Sequence, residues 1–240
     1  MLKLTGLQKS FGSIRAVDGI TIDVKVGEVL GVLGPNGAGK STTLRMAAGI
    51  LVPDAGDIEI AGHALTTDRD KAQASMGFLP EGAPLYPHMT PVEFLTFAAL
   101  AHGLDRDTRK RRIDAVIADV RLGPVQHQMI HGLSKGYRRR VALAAAILHD
   151  PPVLILDEPL DGLDPNQKRS VRALIAQMAE TKAILVSTHT LEEVPSICSR
   201  LVVVHKGRLV AEGTPTELAE RGGSGGLEAC FAELTDHGVG

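Results

Sequence analysis

The sequence predicts an α/β fold, a mainly parallel sheet core with a smaller helical subdomain inserted in it. Short apolar, β-branched runs alternate with helical periodicity on both sides of one long helical stretch. A glycine-rich turn stands between one of those runs and a helix. At 240 residues and 44% hydrophobic composition, the chain can bury one sizeable core or two small ones, and no more.

In chain order, Ile20, Ile22, Val24 and Val26 alternate with Thr21, Asp23 and Lys25, the period of a half-buried strand. Residues 28–33 form a short apolar run suited to a strand covered on both faces. Residues 40–48 read as a helix ended by Gly49, with Pro53 beyond, and 57–60 as a short strand. From about Pro91 to Leu148 the pattern is helical; Ile113, Val116, Ile117 and Val120 keep i, i+3, i+4, i+7 spacing. The basic run Arg109-Lys110-Arg111-Arg112 ahead of them reads as a solvated helix face. Strands return at 153–156, 184–186 and 201–204, with a helix at about 166–180 and a hairpin turn at Lys206-Gly207. Gly222-Gly223-Ser224-Gly225-Gly226 reads as a flexible linker to a short terminal helix carrying Leu227, Phe231 and Leu234 on one side. The expected organisation is one domain over 1–221, with the helical subdomain at about 82–150, and a tail over 222–240.

Composition excludes several functions. Lys and Arg total 26 against 28 Asp and Glu, a balance unlike that of a chain built to neutralise a phosphate backbone. Aromatics are 3% and Trp is absent, so stacking platforms for single strands are scarce. The longest apolar run, 141–148, falls far short of the roughly 20 residues of a membrane span. The N-terminus lacks the apolar stretch of a signal peptide. Cys198 and Cys230 lie far apart with no metal-type spacing, which suits a reducing cytosol.

Gly34-Pro35-Asn36-Gly37-Ala38-Gly39-Lys40-Ser41 fits G-x-x-x-x-G-K-[ST] between a strand and a helix, the mark of a P-loop NTPase core. Glycines let backbone N–H groups turn inward on an anion, and the helix N-terminus adds partial positive charge. Lys40 can reach β- and γ-phosphates, and Ser41 can ligate Mg²⁺. A carboxylate at the end of a buried strand is the expected complement, and Asp157 supplies it. Glu158, one residue outside the strand, can orient or deprotonate an attacking water. Asp161 and Asp164 follow in a turn-rich loop, and His189 comes just past another apolar strand. Since ligands bind beyond the C-terminal ends of parallel strands, His189 is placed to bond a γ-phosphate.

Leu133-Ser134-Lys135-Gly136-Tyr137, ahead of Arg138-Arg139-Arg140-Val141-Ala142-Leu143-Ala144, completes a pattern that resembles the ATP-binding cassette (ABC) ATPases over nearly the whole chain. The resemblance implies an N-terminal antiparallel β subdomain beside the P-loop core. It implies ATP as substrate, with Mg²⁺, held by Gly34 through Ser41 and Thr42, with Phe11 stacked on adenine and Ser41, Asp157 and Glu81 at the metal. Lys40, Glu158 and His189 would be catalytic, and Asp164 would lie at a dimer seam. In a head-to-tail dimer, with a second copy or a paired ATPase subunit, Ser134 and the Gly136 N–H would touch the partner's γ-phosphate. The family also implies a separate integral membrane permease, a cytoplasmic place on the inner face of the cell membrane, and no nucleic-acid partner.

Two positions depart from the family pattern. Glu81, in Gly77-Phe78-Leu79-Pro80-Glu81, stands where an amide is usual and adds negative charge near the γ-phosphate. Lys135 and Tyr137 replace Gly and Gln; Lys135 either adds charge at the partner's phosphate or points to solvent. Both variants resemble the branch serving exporters of drugs, polysaccharides or lipids. The alternatives are an ABC-type ATPase acting on ribosomes or nucleic acid, and an unrelated P-loop kinase. A single cradle and a span of fewer than one hundred residues from Lys40 to Ser134, without sustained heptads, argue against the first. Leu133–Tyr137 and His189 stay unexplained by the second.

Overall fold

A computed structural model describes residues 1–236. The chain begins with β1 (Leu2–Phe11) and β2 (Ile14–Val24), an antiparallel hairpin turning at Gly12, followed by β3 (Glu28–Leu33) and α1 (Lys40–Ala47). Next come β4 (Ala55–Ile60), β5 (His63–Ala64), α2 (Arg69–Ala74) and β6 (Met76–Leu79). The stretch expected to be helical contains α3 (Pro91–Ala101), α4 (Arg106–Asp119) and α5 (Lys135–Ile147), with single 3-10 turns at Gly123–Val125 and Ile130–Gly132. Then follow β7 (Val153–Asp157), α6 (Pro165–Ala179), β8 (Ala183–Thr188), β9 (Arg200–His205), β10 (Arg208–Gly213), α7 (Pro215–Arg221) and α8 (Gly226–Asp236).

Strands β2-β1-β4-β5 form the antiparallel sheet, and β10-β9-β3-β8-β7-β6 form the second, parallel except for β10. Side chains of successive strand residues leave opposite faces, so a strand covered on both sides is apolar throughout. That sorting is visible here. Leu30, Val32, Ile155, Leu185, Val202 and Val204 join α1 and the antiparallel sheet in one core. Val29, Leu33, Leu154, Leu156, Ile184, Val186, Leu201 and Val203 join α3 to α6 in the other. Each fully buried Leu or Ile contributes about 1.5–3 kcal/mol by leaving water. The two cores share the sheet, and β3, β6, β7 and β8, which lead into the glycine-rich turn, Glu81, Glu158 and His189, end at its C-terminal edge.

Three expectations need correction. Arg112, in the basic run read as a solvated face, instead reaches the C-terminal carbonyls of α5: its Nε donates to Leu148 O and its second nitrogen to Ile147 O, both at 2.8 Å. Gly222–Gly226 is a tight reversal rather than a flexible linker, because an added Cβ at Gly222 would lie 1.9 Å from Gly226 O. Glycine permits that approach, and α8 folds back on α7 with Leu227, Phe231 and Leu234 against the α-side core. Thirdly, residues 77–79, where no strand was expected, lie in strand β6. Gly77 gives the reason, since a Cβ there would meet Ala146 O of α5 at 1.9 Å. The last residues of the expected tail, 237–240, lie outside the described residues.

Candidate active site

The glycine-rich turn leaves β3 and opens α1 as its spacing predicts. Gly37 and Gly39 have φ of 80° and 105°, backbone that a side chain rarely adopts. Close approach fixes two of the glycines as well: a Cβ would meet Val204 O at 2.3 Å from Gly34 and Ala16 O at 2.3 Å from Gly39. Lys40 is buried and folds over the turn, donating to Gly34 O at 2.7 Å and Pro35 O at 3.1 Å. Burial lowers its pKa, while Glu158, Asp157 and Glu81 pull it back up. An anion in the turn would replace neutral carbonyls as the partner of this ammonium.

A cleft of about 350 Å³ is lined by Phe11, Ala16, Asn36, Gly37, Gly39, Lys40, Ser41, Thr42, Glu81 and Glu158. It therefore joins the cradle to residues from β1, the loop after β6 and the end of β7. Ser41 Oγ lies 3.4 Å from Asp157 Oδ1, which also accepts from Ser187 Oγ at 2.5 Å. Asp157 is 1% exposed, and its Oδ2 has no hydrogen-bond partner among the described residues. A buried carboxylate oxygen without a donor, beside a serine hydroxyl, fits a hard cation or its water. Glu81 on the cleft wall adds a third oxygen donor of the same kind.

Glu158 has φ of 53°, a left-handed backbone that costs a non-glycine residue about 1 kcal/mol or more. It is held on both sides. Its N–H donates to Ser187 Oγ at 3.0 Å, and its carbonyl accepts from Arg139 at 2.7 Å. The turn-out brings its carboxylate to His189, whose Nδ1 lies 2.7 Å from Glu158 Oε1. Ser187 and Arg139 were not singled out from the sequence. Ser187-Thr188 at the end of an apolar strand was the available signal for the first; the run Arg138-Arg139-Arg140 concealed the second.

Phe11 is 51% exposed at the cleft rim, so core packing does not account for it. Ser134 caps α5, accepting from Tyr137 N at 3.3 Å, and Asp164 caps α6, accepting from Gln167 N at 2.9 Å. Residues 133–137 do not line the cleft of their own chain. Tyr137 packs under the Arg140 guanidinium, 4.2 Å from the ring centre. Lys135 is largely exposed and within its own chain pairs with Asp161 at 2.8 Å.

Residues 17–161 match a family described as "ABC transporter". The chain is 36% identical to the linearmycin resistance ATP-binding protein LnrL of Bacillus subtilis, over 92% of this chain and 71% of that one. It is 37% identical to the Nod factor export ATP-binding protein I of Ralstonia nicotianae, over 91% and 68%. Among solved structures, an ATP-binding subunit of an ABC transporter superposes with a TM-score of 0.89 at 30% identity, over 98% of this chain and 99% of that one. Another, cbiO1 from Clostridium perfringens, described as part of the ABC transporter complex cbiONQ, gives 0.79 at 30% identity, over 90% and 89%. The chain belongs to the ABC transporter family, as one of its ATP-binding, ATP-hydrolysing subunits.

Proposed function

We propose that this subunit holds ATP in the cradle from Gly34 to Thr42, closes head to tail with a second copy or a paired ATPase subunit, and drives export through a separate integral membrane permease. The 3.4 Å contact between Ser41 Oγ and Asp157 Oδ1 carries the reading, because it joins the phosphate cradle to the carboxylate end of β7. Ser41, Asp157 and Glu81 would hold Mg²⁺, which neutralises phosphate charge when bound. Phe11 stacks on the adenine, and Lys40 leaves the loop carbonyls for the β- and γ-phosphates. Glu158 takes the proton of a water whose oxygen attacks the γ-phosphorus, the bond to the β–γ bridging oxygen breaks, and ADP and phosphate result. His189 holds Glu158 and bonds the γ-phosphate.

Because residues 133–137 lie away from their own cleft, Ser134 and the Gly136 N–H serve the partner's γ-phosphate, with Asp164 at the seam. Nucleotide that touches both subunits only when they are closed favours closure, and hydrolysis removes the bridge. No helix among the described residues is long and apolar enough to cross a membrane, which supports a permease on another polypeptide and a peripheral place on the cytoplasmic face. Export is supported by relatives named for linearmycin resistance and Nod factor export. Replacing Glu158→Gln tests the assignment: ATP turnover should vanish while an ATP-dependent dimer accumulates. Turnover near the parent rate in that variant would overturn the role of Glu158.

A further inference from the structure

Arg139 lies in the second turn of α5 and is 5% exposed. Its guanidinium donates to Pro80 O at 2.8 Å, to Glu158 O at 2.7 Å and to Asp157 O. These carbonyls belong to two segments distant in sequence, the loop that carries Glu81 and the end of β7. A planar fork of five donors spans both; a lysine ammonium, a point donor on a flexible stem, does not. The geometry also explains how Glu158 keeps its left-handed backbone. That conformation takes its half-buried carbonyl out of the strand ladder, where it needs other donors. That carbonyl accepts from Asp161 N at 3.1 Å within its own turn, and Arg139 is the second donor, the one that ties it to the Glu81 loop.

Charge adds a second argument. Asp161, Asp157, Glu158 and Glu81 all act on this guanidinium, and they favour its charged form against burial. Four carboxylates around a site for a nucleoside triphosphate repel one another and the phosphates. Glu81 adds one that an amide at its position would not. A packing role alone would be met by an apolar side chain, since a buried ion gives little net stability over one.

We propose that Arg139 is a positioning residue of the hydrolytic site. From α5 it holds the Glu158 backbone and the Glu81 loop in register, and it offsets the charge of Glu81. The proposal rests on Glu158 being the residue that activates water. Since Ser134 caps α5, the same arm links a chain's signature loop, seated on the partner's nucleotide, to its own Glu158.

The test compares steady-state turnover with ATP affinity in Glu158→Gln, Arg139→Met, Arg139→Lys and the Glu81→Gln/Arg139→Met pair. Loss of turnover in Glu158→Gln establishes the underlying reading; near-parent turnover there refutes that reading, separately from the role of Arg139. With it established, Arg139→Met should lower kcat by roughly 10- to 100-fold, the scale of one or two hydrogen bonds to a charged group. ATP affinity should stay within about threefold, because Arg139 touches no nucleotide. Adding Glu81→Gln should raise the turnover of Arg139→Met by a larger factor than it changes the parent's. A parent-like kcat in Arg139→Met, an affinity loss equal to the kcat loss, or the same Glu81→Gln factor in both backgrounds would each overturn the proposal. If Arg139→Met shows no cooperative thermal transition, Arg139→Lys decides: lowered kcat at unchanged affinity supports it, and parent kcat overturns it.

Discussion

Lys135 Nζ lies 2.8 Å from Asp161 Oδ2, tying the first residue of α5 to the loop that follows Glu158 in the same chain. The lysine stem covers Gly162, where a Cβ would meet Lys135 Cδ at 2.6 Å. Both side chains are largely open, at 66% and 44%, so water screens the pair and its coupling should be below about 1 kcal/mol. A double-mutant cycle of Lys135→Met and Asp161→Asn by thermal unfolding, at low and high salt, measures it. The hydrogen bond from Lys135 holds the Asp161 carboxyl below the usual aspartate value of 3.8. A depressed carboxyl stabilises above its unfolded pKa and ceases to as pH falls through the folded one. The pair should therefore add no pH dependence near neutrality, and Asp161→Asn should differ in slope from the parent only in strong acid.

His189 Nδ1 stands 2.7 Å from Glu158 Oε1, and the imidazole is half exposed at the cleft while the carboxylate is mostly covered. One ring nitrogen thus meets the carboxylate, and in the proposed mechanism the other is left for phosphate. His189→Ala should lower turnover by roughly 10²-fold, the scale of a positioned acid–base partner, with ATP affinity nearly retained. Equal losses in both would mean that the histidine binds nucleotide and does not steer Glu158.

The strands that were plain in the sequence are those whose residues serve two cores at once, such as Val153–Asp157, because double burial demands an unbroken apolar run. Strand β1 was less plain, because the alternation of Leu2 and Leu4 with Lys3 and Thr5 breaks at a register shift before Leu7. The glycine-rich turn opening α1, and Asp157 and Glu158 at the end of β7, were placed correctly from sequence because their patterns run over consecutive residues. Arg139 and Ser187 were not, because their value lies in carbonyls and a carboxylate brought from 59 and 30 positions away. The pairing of Lys135 with Asp161, 26 positions away, was hidden for the same reason.

Away from the cleft, His149 stacks on His102 with ring centres 3.7 Å apart, and its Nε2–H donates to Met76 O at 3.0 Å. Burial, with His102, Arg112 and Lys182 adding to it, lowers the His149 pKa from 6.5 to about 4. The unfolded chain takes up this proton first, so stability is complete above about pH 6.5 and declines as pH falls toward 4. Each unit of that interval removes up to about 1.4 kcal/mol. Urea midpoints at pH 7 and pH 5 should separate clearly in the parent, and His149→Gln, which keeps a donor for Met76, should narrow the gap.

Gly136 lies in the first turn of α5 on a backbone that alanine tolerates. An added Cβ would meet Gln167 Oε1 at 2.4 Å, the free end of a flexible side chain, and the Gly162 carbonyl only at 3.3 Å. Alanine is also favoured over glycine within a helix by up to about 1 kcal/mol. The fold therefore does not require this glycine, and Gly136→Ala should melt within a few degrees of the parent, as roughly 1 kcal/mol implies. In the proposed dimer a partner's phosphate would require it, because the methyl group would stand in the way of the N–H. In the Glu158→Gln background, Gly136→Ala should abolish the ATP-dependent dimer seen by light scattering. A dimer that persists would place the partner's phosphate elsewhere.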